Sequence, residues 1–336
     1  MQTVPDQTLI DAAKSIAPVV EQHQEQAERE RRISRPVIDA LHETGILSMF
    51  TPKSLGGLEV DPITRSLVIE EISAHDPSAG WSLTNPLDWA HFCARLPDEG
   101  AEEIYSKGVD ILIAAQFGRP LTATRVEGGF NISGRAPFVS NSLDSDWIAM
   151  TAAVTDSGGG EGEPEVLMVY FPREQCEIID NWDVLGMRGT GSNDVSATDI
   201  FVPTARTFPF VPEFTAGKHY QSPLYRYSLI GVAASSIPPV ILAVARKAVD
   251  EVWALAQGKT PVASSTLLRE RASAQTKLAQ AEAILRSARL LFYDTLDQSW
   301  QATLAGQDHS LEQRADIMLA MAHANASSVQ AVDLVY

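Results

Sequence analysis

Two stretches of the sequence carry residue types suited to chemistry. The first runs from 186 to 192, with Gly186, Gly189 and Gly191 around Arg188. Consecutive backbone N–H groups in such a loop can bind an anion, and Arg188 could add a charge-assisted hydrogen bond. The glycine spacing and the lack of a surrounding strand–helix–strand unit exclude a Rossmann nucleotide-binding loop. The alternative is a tight structural turn before a strand.

The second stretch is a helix that we predict to begin at Asp76-Pro77, since proline is well tolerated in the first turn of a helix. It contains His91, whose imidazole titrates in the range that suits proton transfer. Trp81, Asn85 and Trp89 precede His91 on this helix. A lone histidine on an apolar helix is more often a satisfied core residue, so both interpretations stay open.

Several other kinds of site are excluded by spacing. The remaining histidines show no metal-ligand pattern, and Glu70, Glu71 and His75 lack the Glu-x-x-His period of di-iron bundles. Cys93 and Cys176 are the two cysteines, outside any Cys-x-x-Cys motif, so we expect neither zinc nor a disulfide framework. A Gly-x-Ser-x-Gly nucleophile motif does not occur. We predict no metal.

Composition and charge narrow the class of protein. Among 336 residues, 45% are hydrophobic and 21% charged, which indicates a globular chain. The formal charge of -17 disfavours binding to nucleic acid or to an anionic membrane surface. We find no apolar run of the roughly 18 to 20 residues that span a bilayer, and no secretory signal. The prediction is a cytoplasmic protein.

The elements that must position these residues change type twice along the chain. Residues 1–109 and 223–336 show helical apolar periodicity, whereas 110–222 show short strands divided by glycine-rich turns, one of them at 157–162. Pro238-Pro239 predicts a kink or restart of a helix. We therefore predict an α+β fold with an N-terminal helical domain, a central β-barrel or sandwich, and a C-terminal helical bundle. The long apolar stripes on the C-terminal helices predict contacts between subunits, in a homotetramer or homodimer.

The last predicted helix keeps its apolar register up to Tyr336 and meets no Gly, Asn or Pro to end it. Helices commonly end with such a residue. We therefore expect the chain to be cut within this helix.

Three separated motifs resemble the acyl-CoA dehydrogenase superfamily. Asp76-Pro-Ser-Ala-Gly-Trp81 is similar to its N-terminal helical domain, and Ile132-Ser-Gly-Arg-Ala-Pro-Phe-Val-Ser-Asn141 to its central β segment. The most specific match is Trp182-Asp-Val-Leu-Gly-Met-Arg-Gly-Thr-Gly-Ser192, which leads to Asp199-Ile-Phe-Val-Pro203. Together the similarities cover nearly the whole chain.

Two departures point to one branch of this superfamily. Ala114–Pro120 lacks the Thr-Glu-Pro-type flavin loop of true acyl-CoA dehydrogenases. Leu268–Gln275 and Ala281–Arg289 stand where those enzymes carry an Arg-x-Phe-Gly element. Both features resemble the two-component flavin monooxygenases of the aromatic hydroxylase type.

The resemblance implies a flavin site. Ser140 matches the Ser or Thr hydroxyl that relatives place near flavin N5, and a hydroxyl can both donate and accept. Phe138 and Val139 would lie beside the isoalloxazine ring, and Gln116 and Phe117 near its polar edge. The alternative is that Phe138 and Ser140 are an ordinary core-and-turn pair in a strand.

The same resemblance implies roles for the other candidates. Arg188 and Gly189 would contact a flavin edge, and the face of the helix with Trp81, Asn85 and Trp89 would contact the substrate. His91 would be a catalytic acid or base. The catalytic Glu or His of some relatives would lie beyond Tyr336.

The predicted function is therefore that of a two-component monooxygenase. A flavin reductase would supply reduced FMN or FAD, and O2 would form a flavin adduct that transfers one oxygen atom to a small aromatic or heteroatom-bearing substrate. The alternatives are an acyl-CoA dehydrogenase that oxidises an acyl thioester, and a flavin-binding scaffold without catalysis.

Overall fold

The protein is described by a computed structural model for residues 2–155, 165–211 and 214–336. The glycine-rich turn predicted at 157–162 lies outside these residues. The chain divides into two compact units. The bundle unit comprises the chain up to Lys14, Asp61–Gly80 and Tyr227–Tyr336, and the sheet unit comprises Ser15–Val60 and Trp81–Arg226. Element types follow the predicted helix–strand–helix order, while the two borders between the three predicted domains stay a prediction.

The first part of the chain is helical, as expected. Asp61 caps one of these helices, because its Oδ1 accepts from the N–H groups of Ile63 and Thr64 at 2.9 Å each. Gly45, at φ +69°, follows the end of another. The helices are α1 Gln7–Glu30, α2 Arg35–Glu43, α3 Pro62–His75, α4 Pro77–Phe92 and α5 Asp98–Ile104.

Seven strands form one sheet, in the order β5-β6-β2-β1-β3-β4-β7. They are β1 Ile113–Val126, β2 Gly129–Val139, β3 Trp147–Val154, β4 Val166–Pro172, β5 Glu177–Ile179, β6 Asn193–Pro203 and β7 Thr207–Pro209. β1 and β2 form a hairpin, in which Val126 pairs with Gly129 and Thr122 with Ser133. β1 and β3 are parallel, and the other pairs are antiparallel.

Within the described strands the sheet does not close into the barrel that was one of the two predicted forms, since β5 and β7 each pair with a single neighbour. A sandwich-like layer fits instead. Its apolar core includes Ile132, Ile148 and Val169, all fully buried. In β2, Ile132, Ala136 and Val139 are buried, whereas Arg135 and Phe138 are exposed.

The bundle unit contains the long C-terminal helices. These long helices are α8 Ile237–Gly258, α9 Ala272–Leu304 and α10 Leu311–Val335. Two short helices precede them: α6 Pro223–Arg226, which belongs to the sheet unit, and α7 Leu229–Ala234, which belongs to the bundle unit. Pro238 and Pro239 occupy the first turn of α8, so the predicted restart of a helix is confirmed. In α3, Arg65 is fully buried and donates to Ser236 at 3.0 Å.

One helical stretch, Gly231–Gly258, is apolar and long enough by composition to cross a membrane. This corrects the expectation that the sequence holds no such run. In its most apolar window 61% of the residues are buried inside the protein. That burial is typical of a core helix.

Candidate active site

Ser140 follows the last residue of β2 in a backbone turn of unusual geometry. Phe138 and Asn141 have φ values of +62° and +63°, which side chains other than Gly adopt uncommonly. The turn leaves the Phe138 ring 66% exposed while Val139 is fully buried. Such local strain is often concentrated at functional sites. Ser140 therefore lies in a turn with two residues at positive φ, next to the exposed ring of Phe138. This differs from the ordinary core-and-turn arrangement that was the alternative for Phe138 and Ser140.

The hydroxyl of Ser140 is held from two sides. Trp81 Nε1 donates to Ser140 Oγ at 3.1 Å, and Ser140 Oγ lies 2.8 Å from Ser192 Oγ. Ser192 Oγ lies 2.7 Å from Thr190 Oγ1, which donates to the Met187 carbonyl at 2.9 Å. We call Ser140, Ser192 and Thr190 the hydroxyl chain.

A proline sets the position of Asn141, the residue after Ser140. Pro86 lies inside α4 and has no N–H with which to bond the Ser82 carbonyl one turn earlier. The side-chain amide of Asn141 donates to that carbonyl at 2.6 Å instead. The backbone N–H of Asn141 donates to the Thr190 carbonyl at 2.9 Å. The end of β2 is thus fixed to α4 and to the 186–192 loop together.

The glycine-rich loop is tied together by its own hydrogen bonds and supports the end of β2. The backbone N–H groups of Thr190, Gly191 and Asn193 donate to carbonyls within 187–191. Arg188 donates to Asp183 Oδ1 at 2.6 Å and to the carbonyls of Val184 and Glu28 at 2.8 and 3.1 Å. These contacts occupy the Arg188 guanidinium and three backbone donors of the loop, and the cofactor roles predicted for Arg188 and Gly189 stay predictions.

The buried polar atoms that have no hydrogen-bond partner among the described residues include one on α4 and one on β1. One is Asn85 Nδ2 on α4, and the other is Gln116 Oε1 on β1. Leaving such a group unpaired costs about 1 to 3 kcal/mol, so a ligand that donates to Gln116 and accepts from Asn85 would recover that cost. The carbonyl and N–H groups of a flavin or of a polar aromatic substrate fit this donor and acceptor set.

Three aromatic side chains form an apolar cluster, which we call the aromatic wall: Trp89, Phe117 and Phe210. Phe117 lies 4.8 Å from Trp89 and 5.6 Å from Phe210, measured between ring centroids. Phe117 and Phe210 are 45% and 36% exposed, whereas Trp89 is 2% exposed. Phe117 and Phe210 therefore offer a surface to a planar ligand, and Trp89 supports them from behind. The predicted direct contact of Trp89 with substrate is not favoured by this burial.

His91 lies in the buried core behind these rings, since its neighbour Phe92 lies 5.2 Å from Phe117 between ring centroids. It is fully buried, and its Nε2 lies 3.0 Å from the Leu224 carbonyl. Its ring neighbours Phe50, Phe92 and Tyr225. These are the surroundings of a core histidine, so we do not propose it as the catalytic acid or base.

The sequence did not single out Ser192, Thr190 or Trp182 as site residues. Trp182 lies 6.1 Å from Phe138 in an edge-to-face arrangement and donates to the Met187 carbonyl at 3.1 Å. Ser192 and Thr190 are separated by one residue, a spacing that could have suggested hydroxyls on one side of the turn. Among the residues that the structure describes, no cluster of three or more His, Cys, Asp or Glu could hold a metal ion.

Comparison with known proteins gives matches over most of the chain. The family models "Acyl-CoA dehydrogenase, N-terminal domain" and "Acyl-CoA dehydrogenase, C-terminal domain" match residues 7–92 and 235–336. The chain is 35% identical to an indole-3-acetate monooxygenase of Pseudomonas putida over 298 residues, 88% of this chain and 74% of that one. It is 24% identical to a flavin-dependent monooxygenase, oxygenase subunit HsaA, of Rhodococcus jostii, over 96% and 85% of the two chains.

A solved structure shares the fold. XiaF from Streptomyces sp., in complex with FADH2 and glycerol, superimposes with a TM-score of 0.90 at 24% identity, covering 97% of this chain and 83% of that one. The predicted α+β architecture is confirmed. The chain belongs to the acyl-CoA dehydrogenase superfamily, in its branch of flavin-dependent two-component monooxygenases.

Proposed function

We propose that the protein is the oxygenase component of a two-component system that oxygenates a small, planar aromatic compound of the indole type. The observation that carries this proposal is the Ser140 hydroxyl, held by Trp81 at a strained turn beside the exposed ring of Phe138. The 35% identity to an indole-3-acetate monooxygenase supports the substrate class. A separate flavin reductase would supply the reduced flavin, as FMN or FAD.

We assign the flavin contacts to Phe138, Val139, Ser140, Gln116 and Phe117. Phe138 presents a flat apolar surface, and the Val139 side chain is buried, so this residue contributes through its backbone. Gln116 Oε1 is an unpaired acceptor for a flavin N–H. When bound, reduced flavin supplies the two electrons that the reaction of O2 requires.

The substrate contacts fall to Asn85 and to the aromatic wall. Asn85 Nδ2 is an unpaired donor that can orient a polar substituent. Phe117 and Phe210 stack on an aromatic ring and keep water from it. In the balanced reaction, one atom of O2 enters the substrate and the other leaves as water, with both electrons drawn from the reduced flavin.

The test uses the full chain with an unrelated flavin reductase, NADH, FMN or FAD, isotopically labelled O2 and indole-3-acetate. We expect a product that carries one labelled oxygen atom. Ser140→Ala should lower product per NADH consumed by about tenfold, which corresponds to about 1.4 kcal/mol, with hydrogen peroxide released instead. Ser142→Ala is the matched control, since Ser142 donates to the Gly191 carbonyl at 3.1 Å outside the hydroxyl chain.

Two outcomes would contradict the proposal. Oxidation of an acyl-CoA without incorporation of labelled oxygen would identify a dehydrogenase. If the protein bound neither FMN nor FAD in either redox state, it would not be an oxygenase, and a role as a scaffold would remain.

Self-association and a cytoplasmic location complete the proposal. Large apolar side chains on α9 and α10 are exposed, among them Leu290 at 70% and Leu319 at 60%, and exposed apolar surface of this kind commonly marks contacts with another protein. We propose that a second copy of the chain covers it, in a homodimer or homotetramer. Light scattering should show a smaller species for Leu319→Glu than for the parent protein, and an unchanged mass would contradict this contact.

A further inference from the structure

We propose that Arg95 binds a carboxylate of the substrate, so that the compounds oxygenated are aromatic acids, with the ring on the aromatic wall and the acid group on the guanidinium. The inference rests on the proposed function and narrows its substrate class. Arg95 is then a residue that determines specificity, outside the oxygen chemistry itself.

Arg95 is a partly buried cation without a counter-charge. Its Nε and Nη1 are buried and have no hydrogen-bond partner among the residues that the structure describes. Aromatic rings cover the guanidinium instead, since Cζ lies 3.8 Å from the ring centroid of Phe214 and 5.5 Å from that of Phe92. Unpaired donors on a buried charge are costly. A ligand that brings a negative charge would supply the missing partner.

The other charges near Arg95 are already engaged. Arg95 lines a cavity of about 580 Å³, a size within the range of about 300 to 1,000 Å³ that small-molecule sites have. Two carboxylates line the same cavity. Glu165 forms an ion pair with Arg125, and Asp98 Oδ1 accepts from the backbone N–H of Lys218 at 2.8 Å. Within the described ranges, Arg95 is therefore the cation of this cavity that remains uncompensated.

The chemistry of the guanidinium selects a carboxylate. Its N–H donors lie in one plane and form a rigid fork that matches the two oxygens of a carboxylate. Phe92 and Phe214 flank the guanidinium, so they cover its faces and leave hydrogen bonding to its edge. A planar anion can accept two parallel bonds there. A neutral amide has a single acceptor oxygen and carries no charge to offset that of Arg95.

The distance from Arg95 to the aromatic wall suits an acid on a short side chain. Phe92 lies between them, with its ring centroid 5.5 Å from Arg95 Cζ and 5.2 Å from the Phe117 centroid. Pro209 lines the cavity together with Arg95 and directly precedes Phe210 of the aromatic wall. A ligand whose ring stacks on Phe117 and Phe210 therefore has Arg95 within reach of a carboxylate a few carbon atoms away.

The experiment compares two ligands of nearly the same shape that differ in charge, indole-3-acetate and indole-3-acetamide. Calorimetric titration of the full chain with reduced FMN or FAD, without oxygen, gives the two dissociation constants without turnover. In the wild type we expect the acid to bind at least about thirtyfold more tightly than the amide. Arg95→Met should remove most of this preference by weakening the acid. In turnover the KM for indole-3-acetate should rise while kcat changes little.

Two further variants make the test specific. Arg95→Lys keeps the charge but loses the planar fork, so it should keep part of the preference. Arg125→Met removes the other arginine of the cavity, which Glu165 already pairs, and should leave the preference unchanged. A purely structural role of Arg95 would weaken both ligands equally.

Either of two results would overturn the inference: a wild type that binds the acid no more tightly than the amide, or an unchanged preference in Arg95→Met. In both cases, labelled oxygen in the product would still support the proposed function. A wild type that binds neither flavin would overturn the proposed function itself.

Discussion

Pro86 and Ser82 lie one turn apart in α4, and the Ser82 carbonyl that Pro86 cannot bond accepts the Asn141 amide at 2.6 Å. A break in the hydrogen bonding of one helix thus becomes the attachment point for the end of β2. Because Asn141 directly follows Ser140, this bond helps to fix the candidate catalytic hydroxyl.

Substitution of Asn141 should separate its two contributions. Asn141→Gly loses the bond to Ser82 but accepts the φ of +63° freely, whereas Asn141→Ala loses the bond and is strained as well. We expect losses in the free energy of unfolding of about 1 kcal/mol for Gly and about 2 kcal/mol for Ala. Urea unfolding measures both. Equal stability of Asn141→Ala and the wild type would show that the bond and the turn are unimportant.

Removal of the Trp81 donor should change how efficiently oxygen reaches the substrate. Trp81→Phe keeps an aromatic ring on α4 but takes away the hydrogen bond to Ser140. One such bond contributes about 1 kcal/mol, so the yield of product per NADH should fall roughly fivefold while peroxide rises. Trp147→Phe on β3 is the control, since Trp147 packs against Arg206 and is not hydrogen-bonded to Ser140. If Trp81→Phe gave the same yield of product per NADH as the wild type, Trp81 would have no role in the transfer of oxygen.

Substitution of Gly191, in the loop that supports the hydroxyl chain, should lower the stability of the fold. A Cβ at this position would lie 3.0 Å from the Arg31 carbonyl, and φ is +52°. We expect Gly191→Ala to destabilise the fold by about 1 to 3 kcal/mol and to lower the affinity for flavin. Gly186→Ala, in the same loop, meets nothing within 4 Å in the described part of the chain and should leave the melting temperature near that of the wild type. Similar melting temperatures for both variants would contradict this account.

The sequence predicted the elements well where local signals decide them. The change from helices to short strands and back to helices was placed correctly, because turn glycines and apolar periodicity are local properties. The strands Glu177–Ile179 and Thr207–Pro209 were missed. Each has only three residues, and its pairing partner lies far enough along the chain that no short pattern reveals it.

The candidate site was predictable only in part. The motif resemblance located Ser140 and Phe138, but the bonds of Ser140 to Trp81 and Ser192 join positions more than 50 residues apart along the chain. Arg188 was proposed to bind cofactor because its charge and neighbouring glycines suit an anion. Its bonds to Asp183, Val184 and Glu28 depend on the fold of the loop, which the residue types do not specify.

The two cysteines should resist thiol reagents in the native protein. Burial raises the pKa of Cys93 to about 12 and that of Cys176 to about 11. Because the thiolate is the reactive form, little of either residue reacts near pH 8. We expect labelling with a disulfide reagent to be slow in native buffer and rapid for both thiols in denaturant. Rapid labelling of the native protein would contradict the burial of Cys93.

The last prediction concerns Arg95, a largely buried cation without a carboxylate within ion-pairing distance among the described residues. Within that part of the chain its Nε and Nη1 have no hydrogen-bond partner, and its guanidinium stacks 3.8 Å from the Phe214 ring centroid. Burial lowers the pKa of Arg95 to about 10. Such a shift corresponds to a cost of roughly 3 kcal/mol for keeping the charge in the folded state, whereas stacking on aromatic rings returns about 1 to 2 kcal/mol.

Arg95→Met should therefore raise the free energy of unfolding at pH 7 by about 1 kcal/mol, since it removes a desolvated charge and keeps an apolar side chain. The sign of the pH dependence follows from the lowered pKa. Below about pH 10 the folded and unfolded wild-type chains both carry the proton, so the full cost of burial is present. As the pH rises through that value the folded state loses the proton first, and the wild type gains stability relative to the variant. Urea unfolding of both proteins at pH 7 and near pH 10 measures this difference. A variant that is less stable at pH 7 by about 2 kcal/mol or more, on the order of a broken buried ion pair, would show that Arg95 has a stabilising partner.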